Sequence, residues 1–146
     1  MTPDVNVLVA AARAGHPHNR VAVDWLRAAT TAAAGRPVVL LPVVVAGFLR
    51  VVRIDKIAPT LIFAAGALAF IEALLGQPNV GLAPSRDEWP RFADLYRQYE
   101  PRGGGVTDIW IAAAVLTLGE HLVTLDRGFR KLLPPDQLTV PAPNAP

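Results

Sequence analysis

At 146 residues and 52% hydrophobic composition, the chain has length for one compact domain with a substantial core and too little for two ordinary ones. It contains no cysteine, which excludes a disulfide framework and any thiolate-held zinc or iron–sulfur site and leaves hard, oxygen-ligated cations as the inorganic partners to consider. Net charge is only +2, yet twelve of the fourteen basic residues are arginine, the side chain suited to bidentate phosphate contacts; a GC-rich coding bias, visible also in the abundant alanine and proline, accounts for the same excess without a polyanionic partner.

No basic region precedes an apolar segment at the start, which argues against a secretory signal and for a cytoplasmic setting. The longest uncharged stretch, Ile57 to Ile71, contains Pro59 and ends at Glu72. It falls short of the ~20 apolar residues needed to span a bilayer, so a buried helix is expected and no membrane.

Along the chain, segments of helical period alternate with short β-branched runs, as in a parallel sheet covered by helices. If the chain turns from a first strand into a helix at Asp4, that residue stands at the junction. His18 to Ala33 reads as a helix, with Val21, Trp25 and Ala28 or Ala29 on one face, stopped by Gly35-Arg36-Pro37. Val38 to Leu41 reads as a buried strand. Pro42 then opens a helix to about Arg53 whose inner face would be Val45, Phe48, Leu49 and Val52.

Ala58 to Leu75 is the next predicted helix, closed by Gly76 and Pro78, and Val80 to Leu82 a short strand. Ser85 to Glu88 has the spacing of a capping box opening a helix to about Tyr99. After the flexible Gly103-Gly104-Gly105, Thr107 is a candidate N-cap for a helix from Asp108 to Leu118 that ends at Gly119. Leu122 to Leu125 is a strand, Asp126 to Leu133 a short turn or helix, and Leu138 to Val140 an edge strand. Residues 1–140 thus form one domain, and 141–146 a proline-rich tail expected to fray.

Asp4, Asp108 and Asp126 each sit where an apolar run meets a polar one. A helix of about eleven residues from Asp108 runs ~16 Å down the sheet, and the strand after Gly119 climbs most of the way back. Asp126 therefore returns to the edge where Asp108 began, beyond the carboxyl ends of the strands, where open parallel sheets bind ligands. Two carboxylates ~4 Å apart repel by around 4 kcal/mol at an effective dielectric of 20, so three converging ones call for protonation, dispersal or a cation. The competing reading is three separate turn and cap residues.

Taken in order, Asp4 to Ala10, His16-Pro17-His18 through Trp25-Leu26, Gly47-Phe48-Leu49-Arg50-Val51, Val106-Thr107-Asp108 and Thr124 to Phe129 resemble the PIN-domain ribonucleases, and among these the VapC toxins of toxin–antitoxin pairs. The resemblance spans nearly the whole chain and implies an α/β fold: a three-layer α/β/α sandwich with a short, mainly parallel central sheet. It further implies Mg²⁺- or Mn²⁺-dependent hydrolysis of RNA, with Asp4 and Asp108 as principal metal ligands and Asp126 as a third acid, direct or through water. Asn6 and Thr107 would support those ligands. A VapB-type antitoxin that blocks the site and a homodimer complete the implied picture.

Two departures stand out. The family places a glutamate just ahead of the Gly-Phe-Leu-Arg block, whereas this chain has Val43-Val44-Val45-Ala46-Gly47. The aligned position is Val45, or Gly47 in a shifted register, and neither can bind a metal. One acid fewer points to a single firm metal site and weaker activity. Only Met1-Thr2-Pro3 precede Asp4, so the first strand is expected to be short, or the natural start to lie upstream.

The expected reaction is in-line attack by a metal-activated water, leaving a 3′-hydroxyl and a 5′-phosphate, on structured RNA such as tRNA or rRNA cut in an unpaired segment. Arg50 and Arg127, with Arg53 and Arg130, are candidates to hold substrate phosphates; salt bridging or plain solvation would explain each equally well. The contrasting reading is a catalytically silent module that pairs with an antitoxin or RNA. An aspartate-nucleophile phosphatase ranks below both, because Asn6 stands where that chemistry wants a second acid. His16, His18 and His121 read as loop and surface residues rather than zinc ligands, and Ser85, with no histidine at a telling spacing, is not a nucleophile. The apolar surplus of the Ala58 to Leu75 helix, including Leu61, Ile62, Phe63, Leu68, Phe70 and Ile71, fits either the core or a dimer or antitoxin face.

Overall fold

Thr2–Pro3 forms β1, and Asp4 immediately caps α1, Val5–Ala12. A computed structural model of the chain describes residues 1–31, 35–53 and 63–142. There follow α2 (Asn19–Thr30), β2 (Val38–Leu40), α3 (Pro42–Val51), α4 (Ala64–Leu75), β3 (Val80–Leu82), α5 (Trp89–Tyr99), α6 (Gly105–Leu118), β4 (Leu122–Val123), a 3₁₀ turn at Arg127–Lys131 and β5 (Leu138–Thr139).

Every registered strand pair is parallel: β2 with β3, β1 with β4, and β4 with β5. The two groups meet where the Val39 N–H donates to the Met1 carbonyl at 2.8 Å, giving the lateral order β3-β2-β1-β4-β5. Pro3 has no N–H to offer β2, a defect that normally keeps proline out of a central strand. Here the Thr2 hydroxyl takes over, donating to the Val39 carbonyl at 2.9 Å. Helices cover this short sheet, α1 packing with α2 and α3, and α5 with α6.

The core runs through Leu8, Leu40, Leu41, Val44, Phe48, Ile109, Ile111, Leu122 and Phe129, all at most 1% exposed. Five consecutive residues of α6, Ile111 to Val115, are buried, so this helix is the central one rather than an amphipathic cover. At one close approach, a Cβ on Gly47 of α3 would lie 2.7 Å from Cγ2 of Val5 on α1. Glycine is what lets these two helices touch.

Several expectations shift. The buried face of α3 is Val44, Gly47 and Phe48, continued by Val52, with Val45 and Leu49 only half-buried. The helix is therefore rotated by about one residue from the predicted stripe. The capping box at Ser85 does not form: Glu88 is the N-cap of α5 without a side-chain cap bond, and its carboxylate instead accepts from the Trp110 indole at 3.1 Å. A tertiary partner has outcompeted the local one. Thr107 is not an N-cap either. Gly104 is, because Gly103, at φ 53°, makes the left-handed turn that starts α6 three residues earlier.

The predicted helices His18 to Ala33 and Ala58 to Leu75 are present as Asn19–Thr30 and Ala64–Leu75; residues 32–34, 54–62 and 143–146, including Leu61 and Ile62, lie outside the described residues. In α4, Ala67 and Ile71 are buried, and the ring of Phe70 packs 5.2 Å from that of Phe48. Phe63 and Leu68 stay exposed. Among the described residues no helix is long and apolar enough to cross a membrane.

Candidate metal and phosphate site

Pairing of Pro3 with Val123 places the carboxyl ends of β1 and β4 side by side, and with them Asp4 and Thr124. Asp4, only 3% exposed, leaves the strand in an extended conformation and caps α1, its Oδ1 accepting from the Val5 N–H at 2.6 Å. Oδ2 accepts from the Thr124 hydroxyl at 2.5 Å and from the Asn6 amide at 2.7 Å. Asn6 is in turn oriented by its Oδ1, which accepts from the Leu125 N–H at 2.9 Å. A buried carboxylate is thus gripped by donors from two adjacent strand ends.

Asp126 is the N-cap of the 3₁₀ turn, its Oδ1 accepting from the Gly128 N–H at 2.7 Å, and its own N–H donates to the Thr124 hydroxyl at 3.0 Å. Thr124 therefore links two of the acids. Asp108 lies in the first turn of α6, where the positive end of the helix dipole supports its charge.

All three aspartates line one cavity of ≈350 Å³, together with Asn6, Thr107, Arg50 and Gly47. Their proximity shows in their electrostatics. Burial first, then repulsion from Asp108 and Asp126, raises the Asp4 carboxyl to about 6 despite the Thr124 and Val5 hydrogen bonds. Asp108 is also raised, by burial and then by Asp126. None of the three forms an ion pair among the described residues.

Mutually repelling, unpaired carboxylates with oxygen-only donors suit a hard divalent cation. As they stand, no group of three or more His, Asp or Glu side chains among the described residues is arranged to hold an ion. The donor set fits the metal by chemistry and charge.

Asn6 supports Asp4 directly, whereas Thr107 lines the cavity without a side-chain hydrogen bond to an acid. Arg50 also lines the cavity, but Arg127, Arg53 and Arg130 do not. Of the two positions considered for the missing glutamate, Gly47 faces the cavity and Val45 does not. Asn6 donates to Asp4, leaving the phosphatase reading without the second acid it wants two residues on, and among the described residues no lysine lines the cavity.

Sequence reasoning missed three residues. Thr124 was visible only as part of a motif, and its role depends on strand register. Arg13 and His16, at the end of α1 and in the turn after it, line the same cavity. Val5, Val9 and Arg13 fall four residues apart and all line it, so helical spacing from Asp4 onward was the available signal. His16 titrates below its ordinary range, through burial first and then the nearby His18 and Arg13. His121 instead bonds the Asp136 carbonyl and the Thr139 hydroxyl, tying β4 to β5.

The sequence pattern of the PIN domain matches residues 1–132. Ribonuclease VapC31 of Mycobacterium tuberculosis (strain CDC 1551 / Oshkosh) is 31% identical over 131 residues, covering 88% of this chain and 89% of the relative. Ribonuclease VapC25 of strain ATCC 25618 / H37Rv is 30% identical over 129 residues, covering 88% and 89%. In overall fold the chain is similar to a chain in the crystal structure of VapBC2 from Rickettsia felis bound to a DNA fragment from their promoter. That match has a TM-score of 0.66 at 16% identity and covers 94% of this chain and 96% of the other.

Proposed function

The chain belongs to the PIN domain family and, within it, to the VapC ribonucleases, and from that premise we propose that it is the toxin of a toxin–antitoxin pair, a Mg²⁺- or Mn²⁺-dependent endoribonuclease. Its substrate is a structured RNA such as tRNA or rRNA, cut in an unpaired segment. It works as a homodimer in the cytoplasm and is silenced by a VapB-type antitoxin. The observation that carries this reading is the gathering of Asp4, Asp108 and Asp126 on one cavity, two of them with raised pKa values for which burial and their neighbours' charge are responsible.

Asp4 and Asp108 would hold the cation, with Asp126 beside them directly or through water. The chemistry such a cation would supply there is Lewis acidity toward a water and a phosphoryl oxygen. The protein's own share is orientation and charge. Thr124 and Asn6 fix the rotamer of Asp4, and the Thr124 bond favours its ionised form against the opposing effect of burial. Asp126, fixed by the Gly128 N–H, can accept a hydrogen bond from the attacking water at its free Oδ2 and align it opposite the leaving 3′ oxygen. Arg50, which lines the same cavity, offers a cation to the substrate phosphate. Cleavage then leaves a 3′-hydroxyl and a 5′-phosphate.

The test is incubation of purified protein with total RNA in Mg²⁺, in Mn²⁺ and in chelator, beside Asp108→Asn. Discrete fragments that require the ion and vanish in the variant are expected; fragments indifferent to both would overturn the reading. The second reading, a module that binds antitoxin or RNA without cutting, is favoured by Gly47, which gives the cavity no fourth carboxylate. It prevails if wild type and Asp108→Asn are equally inert on RNA while both still bind the antitoxin.

A further inference from the structure

Arg13 follows the last residue of α1 and is only 7% exposed. One terminal guanidinium nitrogen donates to the Val52 carbonyl at 3.1 Å, just past the end of α3. Its Nε–H is buried and makes no hydrogen bond, the single such side-chain atom among the described residues. No carboxylate there pairs with it, the ion pairs being those of the N-terminus with Glu120, Arg20 with Asp24, and Arg97 with Asp94. A buried cation with an unused donor is costly unless something arrives to use it.

Arg13 lines the cavity of the three aspartates, as do His16 and Arg50. Nine residues of helical rise separate Asp4 from Arg13, ~13 Å along α1. That separation, shortened by the reach of the arginine side chain back toward the helix N-terminus, suits the phosphate next along the strand from the one held at the acids. Resting on the reading that this chain cuts RNA, we propose that Arg13 is a positioning residue: its guanidinium binds a backbone phosphate of the RNA that flanks the scissile one and so sets the strand's register in the cavity. Recognition is of phosphate, through the guanidinium nitrogen not committed to Val52, with the Nε–H joining it only if the side chain turns toward the strand, and carries no base preference of its own. A purely structural role, bridging the ends of α1 and α3 through the Val52 bond, would leave RNA affinity and its salt dependence unmoved by substitution of Arg13.

The measurement is binding of a fluorescein-labelled single-stranded RNA to the Asp108→Asn protein, which does not cut, across roughly 50 to 200 mM salt. Adding Arg13→Met should weaken binding roughly tenfold at the low end and flatten the slope of log affinity against log salt by about 0.7, the value for one phosphate contact on a single strand. Unchanged slope and affinity would overturn the proposal while leaving RNA recognition intact. Should Arg13→Met fail to fold, Arg13→Lys keeps the charge and a donor for Val52 but not the fork; severalfold weaker binding with the slope retained supports the proposal, and undiminished binding overturns it. Absence of any RNA binding by Asp108→Asn itself, with antitoxin binding preserved, would sink the ribonuclease reading and this inference together.

Discussion

The Thr124 hydroxyl donates to Oδ2 of Asp4 at 2.5 Å across 120 residues of sequence. The same oxygen accepts from the Asn6 amide and from the Asp126 N–H, so one hydroxyl organises two acids that stand at the ends of neighbouring strands. Thr124→Val keeps the shape and removes the donor. Hydrogen bonds to charged groups contribute about 1.5–3 kcal/mol, so unfolding in denaturant at neutral pH should show a loss in that range, with RNA cleavage reduced at least tenfold. Thr124→Ser should retain most of both. Equal behaviour of the two variants would mean that the hydroxyl does not hold Asp4.

How much of this was legible beforehand depended on how local the cause was. Asp126 could be placed from the lengths of the helix and strand before it, and Asp4 only on the condition that the chain turns from strand to helix there; both prove to cap the element that follows. Glu88 was misread because its partner, the Trp110 indole, is 22 residues away. Thr107 yielded to Gly104 because a left-handed glycine moved the start of α6. Gly47 as a contact point and Thr124 as a linker follow from helix approach and strand register, which no single segment encodes. Arg13 after a run of alanines looks like any exposed helix-end cation until its burial is known.

Without metal, acid should stabilise the fold locally. Asp4 has a folded-state pKa of about 6 against an ordinary 3.8, burial being the main cause. A raised pKa means that the folded state holds the proton more tightly, so its contribution is fully present below the unfolded value and is lost as pH rises through about 6. Two units correspond to about 3 kcal/mol, and Asp108 shifts in the same sense. In chelator, the difference in unfolding free energy between Asp4→Asn and wild type should move in the variant's favour from roughly pH 4 to pH 7. A difference independent of pH would contradict the raised value.

A divalent cation should reverse that penalty. Binding to the folded state alone stabilises by about 2.7 kcal/mol at a hundredfold excess over Kd, a rise of several degrees in Tm for a chain of this size. Mg²⁺ and Mn²⁺ are expected to raise the Tm of wild type at neutral pH and to leave Asp108→Asn nearly unmoved. Calorimetric titration should return about one ion per chain, since α3 presents Gly47 and not a carboxylate to the cavity. Two tight sites would require an acid not among the three aspartates.

Gly47→Ala sets two effects against each other. Alanine in a helix gains up to about 1 kcal/mol over glycine, but its Cβ would sit 2.7 Å from Cγ2 of Val5, a stiff β-branched side chain. Overpacking of this kind costs typically 1–3 kcal/mol, so a net loss of about 1 kcal/mol is expected in chemical denaturation. Adding Val5→Ala makes room and should recover the helix gain, giving a favourable coupling in the double-mutant cycle. Purely additive effects would show that α1 and α3 do not meet at this point.

Asp126→Asn separates charge from capping. Asparagine caps about as well as aspartate, and its side-chain oxygen can still accept from the Gly128 N–H, so the 3₁₀ turn at Arg127–Lys131 should survive. The residue is also exposed, which keeps the stability change within about 0.5 kcal/mol. What disappears is one of the negative charges repelling Asp4 and Asp108. Cleavage of RNA should fall by at least tenfold with Tm in chelator unchanged or higher, whereas loss of activity in step with loss of stability would make Asp126 a turn residue and no part of the chemistry.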